Sequence, residues 1–109
     1  MKQFHTVVLD RFSDFTGNFA TEPYEAGWAD EAMAFIRVHQ LDKGAVINTS
    51  VQISLDGIVW LDEGTRFTSI DAVGDHFVKV SHFGGWLRLN STITSGCRCN
   101  LTISLVLKG

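Results

Sequence analysis

The feature that most constrains the fold is the strict alternation of Val46 to Leu55, followed at once by Asp56-Gly57 and a second apolar run. Ile47, Thr49, Val51, Ile53 and Leu55 fall on one side of a period-two pattern, and Asn48, Ser50, Gln52 and Ser54 on the other. Successive side chains point to opposite faces of a strand, so the pattern predicts a half-buried antiparallel strand with one wet face. Glycine accepts positive φ, so Asp56-Gly57 predicts a tight turn and Ile58-Val59-Trp60-Leu61 the returning strand.

The same logic extends along the chain. Phe4 to Leu9 is a β-rich run. Trp28 to Phe35 carries Ala, Glu and Met, which favour a helix locally. The alternation that follows sets a strand from about Ala32 to Leu41 instead. Arg66 to Ile70 predicts a short strand. His76 to Phe83 predicts another, with His76, Val78, Val80 and His82 on one side. Trp86 to Ile93 points Leu87, Leu89 and Ile93 inward. Asn100 to Lys108 closes the chain with Leu101, Ile103, Leu105 and Leu107 on one face. Glycines punctuate these runs, and turn signals recur about every ten residues, as in a sandwich or barrel.

The expected fold is therefore all-β, an antiparallel β-sandwich or jelly roll of about eight strands. The 109 residues fit one domain spanning 1–109, and a 45% apolar content supplies one core. Residues 10–27 are the exception. Phe12, Phe15 and Phe19 sit at helical spacing, but Thr16-Gly17-Asn18 opposes a stable helix. The stretch is expected to be an irregular, aromatic-rich arm or loop.

Charge narrows the function classes. The net charge is −3, and Lys43, Lys79, Arg88, Arg98 and Lys108 are scattered. That disfavours a phosphate-neutralising nucleic-acid face and a polybasic membrane anchor. The apolar stretches are shorter than the ~20 residues that cross a bilayer. The N-terminus lacks the long apolar run of a signal peptide, so a chain starting at a native Met1 is expected in the cytoplasm. Charged residues make up 19%, below the ~25% typical of soluble domains. A polar, weakly charged surface suits a protein that buries part of itself against partners, and equally an ordinary β domain rich in Thr and Val.

Catalytic and metal signals are weak. Cys97 and Cys99 are separated by one residue, which strains a disulfide, and two thiolates do not complete a tetrahedral zinc site. His76 and His82 share strand parity but lie roughly 20 Å apart along a strand, too far for one metal ion. The acid pairs Asp30-Glu31 and Asp62-Glu63, and Asp71, read as solvent-facing. There is no Gly-x-Ser-x-Gly and no phosphate-cradling glycine loop. No catalytic residue, metal ligand or cofactor is expected, and the chain reads as a non-enzyme. Convergence of His39, His76 and His82 in one pocket would reopen the question. Asn48, Asn90 and Asn100 begin Asn-x-Ser/Thr triplets, read here as solvent-facing strand positions.

Ser54-Leu55-Asp56-Gly57-Ile58-Val59-Trp60 is the most distinctive stretch. It differs from the Asp-box of sialidase-type propellers by one missing spacer and by Val59, and one copy cannot build a propeller. Combined with Phe77-Val78-Lys79-Val80, Trp86-Leu87-Arg88-Leu89 and the final Leu101 to Lys108 strand, it resembles small β-sandwich proteins of tailed-phage and prophage structural clusters. The resemblance covers about Phe35 to Gly109. It implies a virion component of head-associated or decoration type, forming homo-oligomers such as trimers and contacting other virion proteins.

Two functions follow. The first is structural assembly, with Phe12, Phe15, Phe19, Tyr24 and Trp28 as interface anchors, because interface cores favour aromatic side chains. The same rings could instead cover one open end of the sandwich. The second is carbohydrate binding by a jelly-roll module, with Trp60, Trp86 and Tyr24 stacking on sugar rings.

Overall fold

The computed structural model describes residues 4–81 and 83–109. Among them, nine strands form two antiparallel sheets. They are β1 (Phe4–Thr16), β2 (Phe19–Ala20), β3 (Tyr24–Glu25), β4 (Glu31–Leu41), β5 (Ile47–Ser54), β6 (Leu61–Arg66), β7 (Gly74–Ser81), β8 (Trp86–Ile93) and β9 (Arg98–Lys108). One sheet runs β1-β9-β4-β7. The other runs β2-β8-β5-β6, with β3 also paired to β8. The expected antiparallel β-sandwich is what forms.

Alternation builds the core. Leu101, Ile103, Leu105 and Leu107 of β9 point inward beside Ala32, Ala34, Ile36 and Val38 of β4. Ala34 lies opposite Leu105 and Ala32 opposite Leu107, so small residues leave space for large ones. Ile47 and Val51 of β5 and Leu87, Leu89 and Ile93 of β8 close the core from the second sheet. Each fully buried Leu or Ile contributes about 1.5–3 kcal/mol from apolar surface removed from water. The second sheet also buries a polar pair: the Thr49 and Ser91 hydroxyls hydrogen-bond at 2.8 Å. Every buried side-chain nitrogen or oxygen among the described residues has a partner.

Several expectations are corrected. Residues 10–27 do not form an irregular arm. β1 continues to Thr16 against β9, and β2 and β3 pair with β8. Extra residues in β1 shift its register between Val8 and Asp10 and again between Asp10 and Ser13, which broke the period-two signal. The tight Asp56-Gly57 hairpin is a longer loop. β5 ends at Ser54 and the chain returns at Leu61, with Ile53 opposite Leu61. Ile58 and Val59 belong to the loop, and Leu55 points to solvent. The strand expected from Arg66 to Ile70 does not form, because Arg66 is the last residue of β6. Phe67 and Ile70 are buried, and Ile70 joins Ile47 through an isolated bridge. The strand expected over 76–83 is Gly74–Ser81, and His82 lies outside the described residues.

Candidate binding surfaces

Two surfaces stand out, one on a loop and one on a sheet. The loop spans Leu55 to Trp60 at the end of β5. Ser54 and Asp56 fix its backbone. The Ser54 hydroxyl donates to Asp56 Oδ1 at 3.0 Å and accepts the Gly57 amide at 2.8 Å. Asp56 Oδ1 accepts the amides of Ile58 at 2.8 Å and Val59 at 3.1 Å. These are Asx-type contacts, which replace the strand ladder with a side-chain scaffold. Hydrogen bonds from Ile58, then Val59 and Ser54, hold the Asp56 carboxyl below its ordinary range. Gly57 has φ +79° and lies against the Trp86 ring, so a β-carbon would be strained and crowded there.

This scaffold presents apolar side chains to water. Leu55 is 94% exposed, Ile58 79%, Val59 63% and Leu61 64%. Single exposed apolar residues are ordinary, but several clustered on one constrained loop mark an interaction surface.

The second surface is the outer face of the four-stranded sheet. Its register sets side chains in rows. Lys79, Met33, Val106 and Thr6 form one row, and Phe77, Phe35, Ser104 and Val8 the next. Asp75, Arg37 and Thr102 form the third. Phe35 and Phe77 stack at 5.8 Å between ring centroids. Arg37 and Asp75 form a two-pronged ion pair at 2.7 and 3.1 Å. The hydrogen bond from Arg37 holds the Asp75 carboxyl below its ordinary range.

Two bulges converge on the third row. β1 carries an extra residue between Asp10 and Ser13, and β4 carries one between Val38 and Gln40. Both flank β9 near Thr102. They turn Phe12 and His39 toward each other, with ring centroids 4.2 Å apart and planes 17° apart. Thr102 Oγ1 accepts the Phe12 amide at 3.0 Å and meets His39 Nε2 at 2.9 Å. Asn100 Nδ2 donates to the Phe12 carbonyl at 3.0 Å. Phe12 has φ +47°, in the left-handed region that bulky residues avoid.

The five anchors expected from sequence do not lie together. Phe12 joins the outer face. Phe15 and Phe19 stack on each other at 3.8 Å, half-buried across the gap between the two sheets. Tyr24 packs against the core. Trp28 lies edge-on to His5 at 6.4 Å, near Gly109 at the far end of β9. The rings expected to stack on sugar are also occupied within the fold. Arg88 lies 4.4 Å over the Trp60 ring, and Trp86 covers Gly57.

The reactive groups give no assembled site among the described residues. Cys97 and Cys99 form no disulfide, and burial pushes the Cys99 thiol pKa up, which keeps it protonated. No group of three or more His, Cys, Asp or Glu lies within reach of one metal ion. His76 bonds the Ala72 carbonyl at 3.3 Å, so its Nε2 carries the proton. No helix among them is long and apolar enough to cross a membrane.

The fold and surfaces thus define an antiparallel β-sandwich with a rigid apolar loop and an aromatic outer face. The solved structure of the SPBc2 prophage-derived protein YomS is similar over 100% of this chain and 96% of that chain, with TM-score 0.68 and 8% identity. The PBSX exported protein XepA is similar over 98% of this chain, with TM-score 0.63 and 7% identity, and this chain spans 36% of its length. No family model and no curated relative matches the chain. At these identities the likeness establishes a shared fold, one that includes a prophage-derived protein.

Proposed function

We propose that this protein is a non-enzymatic structural module of a phage or prophage particle, and that it self-associates through the Leu55 to Leu61 loop. The observation that carries the reading is the loop itself. Ser54 and Asp56 hold Leu55, Ile58 and Val59 out in water in one fixed arrangement. A prearranged apolar loop loses little freedom on docking, so more of its buried area appears as affinity. The near end-to-end match to the prophage-derived YomS supports the phage setting. Of the five anchors expected from sequence, Phe15, Phe19 and Tyr24 pack against the core and Phe12 lies on the outer face of the other sheet, so the loop rather than the aromatic stretch carries the contact.

Solution mass by size-exclusion chromatography with light scattering tests the reading. The expected result is a discrete homo-oligomer that falls to monomer in Leu55→Ser/Ile58→Ser/Val59→Ser. A wild-type monomer, or an oligomer indifferent to the triple substitution, overturns it.

A further inference from the structure

We infer that the outer face of the four-stranded sheet is a glycan-binding face, with the Phe12–His39 stack as its platform. The inference rests on observations separate from the loop and stands or falls independently of self-association.

The platform is built rather than incidental. Two bulges, one on each side of β9, are needed to bring Phe12 and His39 over Thr102. Bulges re-aim side chains and recur beside functional sites. Phe12 also adopts φ +47°, which costs backbone strain that its surroundings must hold in place. Thr102 and Asn100 do so by gripping its amide and carbonyl. The outcome is a ring with one face on His39 and a side chain 63% exposed, which leaves the other face open. Core packing has no use for this arrangement.

The surroundings select the ligand class. A sugar ring offers an apolar C–H face and a rim of hydroxyls. Exposed aromatic faces meet the first, and a mixed set of polar side chains, some donating and some accepting, meets the second. Phe77 supplies a second aromatic face, 55% exposed and backed by Phe35. The Arg37–Asp75 pair and the Thr102 hydroxyl lie on the row that Phe12 and His39 join, next to the row of Phe77. At the backbone, three strand spacings and a two-residue offset put Phe77 about 16 Å from Phe12, and the Phe12 ring leans across β9 to meet His39 of β4, so the two aromatic faces suit a short oligosaccharide laid across the strands. Arg37 and Asp75 cancel in charge, so the pair itself neither demands nor rejects a charged sugar. The depression, about 380 Å³, is open and fits an extended chain better than an enclosed small molecule.

The test is a titration of the ¹⁵N-labelled full chain with chitohexaose, cellohexaose and oligogalacturonate, followed by amide shifts. The expected result is saturable shifts at Phe12, Arg37, His39, Phe77 and Thr102 with at least one sugar. Phe12→Gly tests the platform without threatening the fold, because glycine accepts φ +47° at no strain. It should weaken that sugar at least tenfold, while Asn48→Ala on the other sheet leaves binding unchanged. No saturable shift with any of the three at millimolar concentration overturns the inference. So does binding that survives Phe12→Gly, or shifts confined to Leu55 to Leu61.

Discussion

The outer faces of the two sheets obey the same period-two rule and yet differ in chemistry. On the five-stranded sheet the outward residues bond sideways to one another. Gln52 donates to Asp62 at 3.1 Å and accepts from Arg88 at 2.7 Å, and Arg88 then covers Trp60. Ser69 donates to Asn48 at 2.7 Å. On that face the polar side chains satisfy one another. On the four-stranded sheet the outward positions carry Met33, Phe35, Phe77, Val106 and Val8, interrupted by one ion pair and one strained aromatic. The hydrophobic effect gives no reason to keep such rings in water, so this face is disposed for contact. Strand alternation therefore explains which residues face out, while the chemistry of the outward set separates a solvated face from a binding face.

The largest expected effect would break both faces together. Ile103 sits at zero exposure on β9, which pairs with both β1 and β4. Ile103→Ala should lower stability by about 2–5 kcal/mol in urea unfolding, because the cavity cannot collapse between three strands. A loss below about 1 kcal/mol would show that the core is looser than described.

A smaller effect sharpens the account of the five-stranded sheet. Thr49→Val should cost about 1–3 kcal/mol by leaving the buried Ser91 hydroxyl without its partner. The double substitution Thr49→Val/Ser91→Ala should recover most of that loss, and a purely additive result would contradict the pairing.

Next comes the loop. Asp56→Ala should lower the melting temperature modestly and speed hydrogen exchange at Ile58 and Val59. The acid dependence has a definite sign. The folded Asp56 carboxyl is held below its ordinary range, so its stabilisation is fully present above the unfolded-state value. It is lost as pH falls through the lower folded value, and Asp75 behaves the same way through Arg37. Acid unfolding curves of wild type and Asp56→Ala should therefore converge as pH drops.

The smallest effect is on the aromatic face. Phe77→Ser should change stability by no more than about 0.5 kcal/mol, as expected for a side chain outside the core. A large loss would mean that the ring braces the sheet rather than serving contact.

Much of the core was legible in sequence because alternation encodes burial. Leu101, Ile103, Leu105, Leu107, Leu87, Leu89 and Ile93 all face inward as their spacing predicts. The surfaces were harder to see. The Asp56-Gly57 signal correctly marks a reversal, but Ser54 and Asp56 capture backbone amides and stretch the turn into a loop. The β propensity of Ile58 and Val59 is overridden by those bonds. The apolar loop was therefore hidden as a strand. Phe12 stands out in sequence for its aromatic ring, yet two register shifts conceal its strand and no sequence signal ties it to His39, 27 positions away. Bulges insert residues without changing composition, so the pairing that makes the platform exists only in three dimensions.

Hydroxyl-radical footprinting of the protein in its assembled state, against the same protein diluted to monomer, tests the central claim most directly. The account predicts that Leu55, Ile58, Val59 and Leu61 lose reactivity on assembly, while residues of the five-stranded outer face do not change. Protection on that polar face, or loop side chains equally reactive in both states, would contradict it.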